Sequence, residues 1–304
     1  MEDQLNNLQN SKLVGFQYMF NLIQRYQGSI KFFDVRDTES YNKIHLTISL
    51  HIPVDSGDIH TINLERLTKE RPLTRLRRYC IIIGFSEHYT QEAKDFKNML
   101  KEIKCKEINM LPDIEEFLEQ YQFLCSTFRP IKVNNFPNEI VPKFLYLGSQ
   151  FHAHCKEIIE ILQITHILNV TRGAANLFPG LMYCRVFVDD NETEKISLYF
   201  QKAYEFIDGA LEENSKGAKN VVLVHCAKGV SRSSTIVIMF LMRSTGMLFE
   251  EAFEFVKKNR DIIEPNEGFT KELREFERKK HQFLRRASSL CKMPMNSREE
   301  VKNY

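Results

Sequence analysis

The stretch VLVHCAKGVSRSS, residues 222–234, constrains this chain more than any other. It runs from an apolar segment through a His-Cys pair into a short loop bearing Gly229 and Arg232. TIVIMFLMRS follows and reads as a buried helix. The flanking sequence repeats the same alternation. FLYLGS (144–149), HILNVT (166–171) and YCRVFVDD (183–190) read as strands. CKEIIEILQI (155–164) and SLYFQKAYEFIDGALEEN (197–214) read as helices, as do FEEAFEFVKKNR and GFTKELREFERKKHQFLRR near the end. Strands alternating with helices predict an α/β fold, a central sheet flanked by helices. The preceding part alternates as well. KLVGFQYMFNLIQRY (12–26) and TQEAKDFKNMLKEI (90–103) are helical, and IKFFDVRD, RYCIIIGF and KEINML are strands. The apolar, β-branched CIIIGF run is what a buried parallel strand requires. Proline-bearing residues between the two patterns predict a linker at 126–137. The expected layout is thus an α/β domain at 11–125, a second at 138–285, and a polar tail at 286–304.

Of the seven cysteines, only Cys226 has an arginine six residues later, Arg232. A five-residue loop, Ala227, Lys228, Gly229, Val230 and Ser231, can wrap a phosphate with its N–H groups turned inward when a helix N-terminus follows. Gly229 permits the turn. The planar fork of Arg232 can hold two phosphate oxygens. The same dipoles and charge favour the Cys226 thiolate. Ser233 can donate to that thiolate and make it a better leaving group, with His225 in support.

HCAKGVSRSS resembles the His-Cys-x5-Arg-Ser/Thr signature of the cysteine-dependent dual-specificity protein phosphatases. LYLGS, HILNVT, FIDGAL and PNEGF fall in the order such domains show, and the likeness covers about half the chain. It implies a general acid upstream of FID. The family's spacing of fifteen residues before Phe206 selects Asp190, with Asp189 as the alternative. The implied chemistry hydrolyses phosphotyrosine and phosphoserine or phosphothreonine through a phosphocysteine and needs no metal or organic cofactor. Lys228 adds positive charge that would also suit a phosphoinositide. A protein that binds phosphoproteins without turning them over is the remaining alternative. KKNRD (257–261) reads as a helix end.

FFDVRDTESYNKIHLTISLHIP (32–53) resembles the start of a rhodanese domain in Asp34, Arg36, His45, Ile52 and Pro53. The loop after CIIIGF has no cysteine, and Cys80 stands at the wrong end of that strand. The resemblance therefore implies a rhodanese-like fold without its chemistry. Such a domain ahead of a phosphatase is the layout of the mitogen-activated protein kinase phosphatases and of the serine/threonine/tyrosine-interacting-like protein. In the kinase phosphatases it docks the kinase through a basic cluster. Here the candidate is LERLTKERPLTRLRR (64–78), with Arg66, Lys69, Arg71, Arg75, Arg77 and Arg78, and a solvated basic face explains the same composition.

A formal net charge of +2 argues against nucleic acid as the main partner. No apolar run approaches the ~20 residues of a membrane span. The polar start lacks an apolar signal segment. Scattered cysteines suit a reducing cytoplasm or nucleus. HAHC (152–155) offers ligands without a metal-site spacing and reads as a polar helix start. RRASSL (285–290) resembles a basophilic kinase site, with Ser288 or Ser289 as acceptor.

Overall fold

The computed structural model describes residues 11–26, 29–52, 76, 79–102, 104–105, 107–127, 133 and 135–291. Side chains of 11–14 and 280–291 fall outside that description. Its contacts separate two compact units that divide between Phe136 and Pro137.

The first unit comprises α1 (Ser11–Arg25), β1 (Ile30–Asp34), α2 (Thr38–Lys43) and β2 (Ser49–His51), followed by β3 (Cys80–Gly84), α3 (Thr90–Glu102), β4 (Glu107–Leu111) and α4 (Ile114–Gln120). The strands pair in parallel in the order β2-β1-β3-β4. Each of the five residues of β3 is buried, as its uninterrupted apolar run demands. Phe33, Ile81 and Ile83 pack with Phe96 and Leu100 of α3. On the other side, Phe16 and Phe20 of α1 meet Phe117 of α4 and the following Tyr121, with Phe20 stacked on Tyr121 at 4.8 Å.

Asp34 and Arg36 form a fully buried, two-pronged ion pair, with Nε donating to Oδ1 at 2.9 Å and Nη2 to Oδ2 at 2.7 Å. Arg36 Nη2 also donates to the Ile44 carbonyl at 2.7 Å, tying β1 to the segment after α2. Removing Arg36 would strand the Asp34 carboxylate, a loss of about 3–5 kcal/mol, whereas Arg36 without Asp34 would keep Glu115, whose Oε1 lies 3.5 Å from Nη1. Tyr41 stacks against both His45 and His51. Pro53 lies outside the described residues. So does the basic stretch 64–78 apart from Leu76.

The second unit begins with β5 (Asn138–Val141), β6 (Leu145–Ser149), α5 (Gln150–His154), α6 (Lys156–Ile161), β7 (His166–Asn169) and β8 (Met182–Arg185). It continues with α7 (Phe200–Ser215), β9 (Val222–Cys226), α8 (Arg232–Ser244), α9 (Phe249–Asn259) and α10 (Glu267–Cys291). Sheet order is β5-β6-β9-β7-β8, with only β5 antiparallel to its neighbour. The chain passes from β6 to β7 and β8, then returns to insert β9 between β6 and β7. That reversal opens a crevice at the carboxyl end of β9, where open α/β sheets bind ligands. Cys226 stands there. In α8, Ser233 through Met242 are all buried. A helix apolar on every side must sit inside the core, which is how this one packs.

Two expected boundaries move. YCRVFVDD is strand only to Arg185, because its one neighbour, β7, ends at Asn169. Val186 still donates to the Asn169 carbonyl, and the chain then leaves the sheet. That departure releases 186–190 as a loop. The backbone of α10 is helical through 285 to Cys291, so the expected domain end falls inside a helix. Ser288 and Ser289 lie in that helix, with side chains outside the described residues. Among the described residues, no helix is long and apolar enough to cross a membrane.

Candidate active site

The last residue of β9 and the first of α8 bracket the five-residue loop. Gly229 adopts φ +72°, and a Cβ there would lie 2.4 Å from the Gly148 carbonyl oxygen. Both the backbone conformation and the packing of β6 beneath the loop therefore exclude a side chain. With the turn made, the Gly229 amide donates to Cys226 Sγ at 3.2 Å, and the Ser233 hydroxyl donates to the same sulfur at 3.2 Å. Burial of the thiol raises its pKa. The Ser233 hydroxyl and the amides of Ser233, Val230 and Gly229 oppose burial, and the net pKa falls below the ordinary thiol value. Burial pushes Cys80 up to about 12 and Cys125 up to about 11, and it raises Cys155 and Cys184. Cys226 is distinguished from them by its donors rather than its depth.

Arg232 lies half-buried and lines the same cavity as Cys226. Its Nη1 donates to the Val188 carbonyl at 3.3 Å, and its buried Nε has no hydrogen-bond partner. The nearest acid is Asp190, with Oδ2 3.7 Å from that Nε. Asp190 Oδ1 accepts from Ser231 Oγ at 2.6 Å and from Asn266 Nδ2 at 3.1 Å. Asn266 is itself oriented, because its Oδ1 accepts from the Phe269 amide where α10 begins. Gly268 lets the acid-bearing loop lie on that helix start, since a Cβ there would meet the Glu192 carbonyl oxygen at 2.2 Å. Asp189 turns elsewhere and accepts from exposed Arg172, which also pairs with Glu194. The geometry thus separates two neighbouring acids that sequence reading left as alternatives.

Cys226, Asp190, Arg232 and the loop residues Ala227, Lys228, Val230 and Ser231 line one cavity of about 600 Å³. Lys228 is exposed at its rim, where Glu192, Glu264 and Glu267 also stand. Gly229 and Ser233 are buried behind the lining. His225 is buried, and its Nδ1 lies 3.4 Å from the Cys226 carbonyl oxygen. Burial pulls His225 down to about 4, so it is neutral near pH 7. His152 serves the start of α5, its Nδ1 accepting from the Ser149 amide at 2.9 Å. Among the described residues, no group of three or more His, Cys, Asp or Glu could hold a metal ion.

Sequence reasoning missed Arg260 and Asn266. Arg260 follows α9 and is buried under the loop, donating to the Gly229 carbonyl at 2.8 Å and to Asn138 Oδ1 at 2.6 Å. The signal was KKNRD, whose arginine falls just past the periodic apolar positions of α9.

Compared with known families, residues 145–279 match the one described as "Dual specificity phosphatase, catalytic domain". Residues 145–279 belong to the dual specificity phosphatases. Dual specificity protein phosphatase 4 of Rattus norvegicus is 33% identical over 265 residues, covering 84% of this chain and 65% of the relative. Dual specificity protein phosphatase 1 of Homo sapiens is 44% identical over 154 residues, covering 50% of this chain and 40% of the relative. The chain therefore spans less than two thirds of the length of either relative. The solved structure of DUSP15 is 32% identical with a TM-score of 0.45, covering 50% of this chain and 94% of that one.

Gly229→Ala tests whether this phosphatase domain depends on the turn as built. The Cβ collision predicts a folded protein, intact by circular dichroism, that has lost most of its affinity for inorganic phosphate by calorimetry. Retained phosphate affinity would mean that the loop accommodates the methyl group.

Proposed function

We propose that this protein hydrolyses phosphotyrosine and phosphoserine or phosphothreonine in phosphoprotein substrates. One observation carries the reading: a donor-ringed sulfur, an unpartnered arginine N–H and an oriented carboxyl line a single cavity. Cys226 attacks phosphorus and forms an S–P bond as the ester P–O bond breaks. Asp190 gives its proton to the departing oxygen. Arg232 and the loop amides hold the equatorial oxygens as charge develops on them. Asp190, now a carboxylate, takes a proton from water as that water attacks the phosphocysteine. The S–P bond breaks, inorganic phosphate leaves, and Ser233 steadies the returning thiolate. Glu192, Glu264 and Glu267 at the rim disfavour a polyanionic phosphoinositide.

Leaving-group dependence tests these roles. Asp190→Asn should slow alkyl and unactivated aryl phosphates by about 10²–10⁴-fold while sparing an activated aryl phosphate. Asp189→Asn should have little effect on either. Cys226→Ser should abolish turnover with phosphate binding retained. The opposite ranking of the two aspartates would move the acid to Asp189.

The first unit is proposed to be a non-catalytic, rhodanese-like module. Its parallel four-stranded sheet and the position of Cys80, buried at the start of β3, support that reading. The proposed partner is a mitogen-activated protein kinase with an acidic docking groove, met by the basic stretch 64–78. Complementary charge acts mainly on encounter and register. Arg71→Glu with Arg75→Glu in the full chain should weaken kinase binding, and calorimetry should show wild-type binding falling as salt rises. Equal binding by wild type and variant at low salt would leave 64–78 as a solvated face.

A further inference from the structure

We infer that Arg260 is a positioning residue that aims and polarises the two peptide groups holding the Cys226 sulfur. The inference rests on the phosphatase reading above. In the peptide joining Lys228 to Gly229, the carbonyl accepts from Arg260 Nη2 at 3.2 Å, and the N–H donates to Cys226 Sγ at 3.2 Å. In the next peptide, the Gly229 carbonyl accepts from Arg260 Nε at 2.8 Å, and the Val230 N–H favours the thiolate. A peptide group is planar, so pinning its oxygen below the loop fixes its N–H above. Glycine's torsional freedom would otherwise let either plane turn over. A cation on the carbonyl end also strengthens the donor at the other end, because hydrogen bonds in series polarise one another. The third arm, Nη1 to Asn138 Oδ1 at 2.6 Å, anchors the fork to β5.

Several other titratable groups pack round the loop: His152 from α5, His225 from β9, Asp190 from the loop after β8, Arg232 from α8, and Lys228 on the loop itself. Burial holds His152 near 3 and His225 near 4, so neither carries charge at neutral pH. Burial also lowers Arg260, to about 10, against the opposing pull of Cys226 and Asp261, and it stays charged. Arg260 is therefore the cation behind the two peptides, as Arg232 is the cation on the cavity side.

Alkylation of Cys226 by iodoacetamide, followed by mass spectrometry across pH in the full chain, reads this directly. The reagent is neutral, so the charge of residue 260 does not act on it. Arg260→Met should raise the alkylation midpoint by about one unit or more, because the thiolate loses stabilisation. Arg260→Lys should give a smaller rise, since an ammonium keeps the charge but cannot bond both carbonyls with a fixed fork. Circular dichroism checks folding. If Arg260→Met does not fold, Arg260→Lys decides alone. A folded variant with the wild-type midpoint overturns the inference. A wild-type midpoint in the ordinary thiol range would instead count against Cys226 as the nucleophile.

Discussion

Cys226 is one per cent exposed, a position where a negative sulfur would be costly to hold. Burying an ion without compensation costs several kcal/mol. Each hydrogen bond to a charged group returns about 1.5–3 kcal/mol. The Ser233 hydroxyl and three backbone amides are on the scale needed to offset that burial, and the thiol of Cys226 shifts down while the other shifted cysteines rise. The same donors that favour a thiolate suit a phosphate. A site that stabilises one anion stabilises the other.

Much of the second unit serves that ring of donors. Insertion of β9 between β6 and β7 brings Cys226 to the carboxyl edge at the sheet's centre. Gly148 on β6 leaves its carbonyl where only a glycine can pass over it, which fixes residue 229. The buried α8 points its first turn at the sulfur. Early termination of β8 frees a loop, and the start of α10 clamps it, so that Asp190 faces Arg232 while Asp189 faces solvent. Asp190 and Cys226 lie 36 residues apart in sequence (226 − 190), and two hydrogen bonds, from Ser231 and Asn266, hold the Asp190 carboxyl at the loop that follows Cys226.

What could be read from the sequence follows from range. The loop 226–233 was legible because its chemistry is local: a sulfur, a turn glycine and an arginine within eight residues of one another. β3 and α8 were legible because an unbroken apolar run has few places to go except the interior. Asp190 was legible only through the family's spacing, since nothing in VDDNE separates the two acids physically. Their difference comes from Arg172 on one side and Asn266 on the other. KKNRD placed Arg260 at a helix end, but its role was not legible. Its bonds go to carbonyl oxygens 31 and 32 residues away and to Asn138, and a backbone carbonyl leaves no mark in a sequence. The end of β8 was misplaced for a similar reason, because a strand stops where its neighbour stops.

The central claim is that phosphate passes through a covalent bond to Cys226. Rapid acid quench of a reaction with a ³²P-labelled phosphotyrosine peptide, followed by peptide mapping, tests it most directly. The account predicts label on the peptide containing Cys226 during turnover, chased by unlabelled substrate and absent in Cys226→Ser. Sustained hydrolysis with no label at Cys226, or with label on another residue, would contradict it.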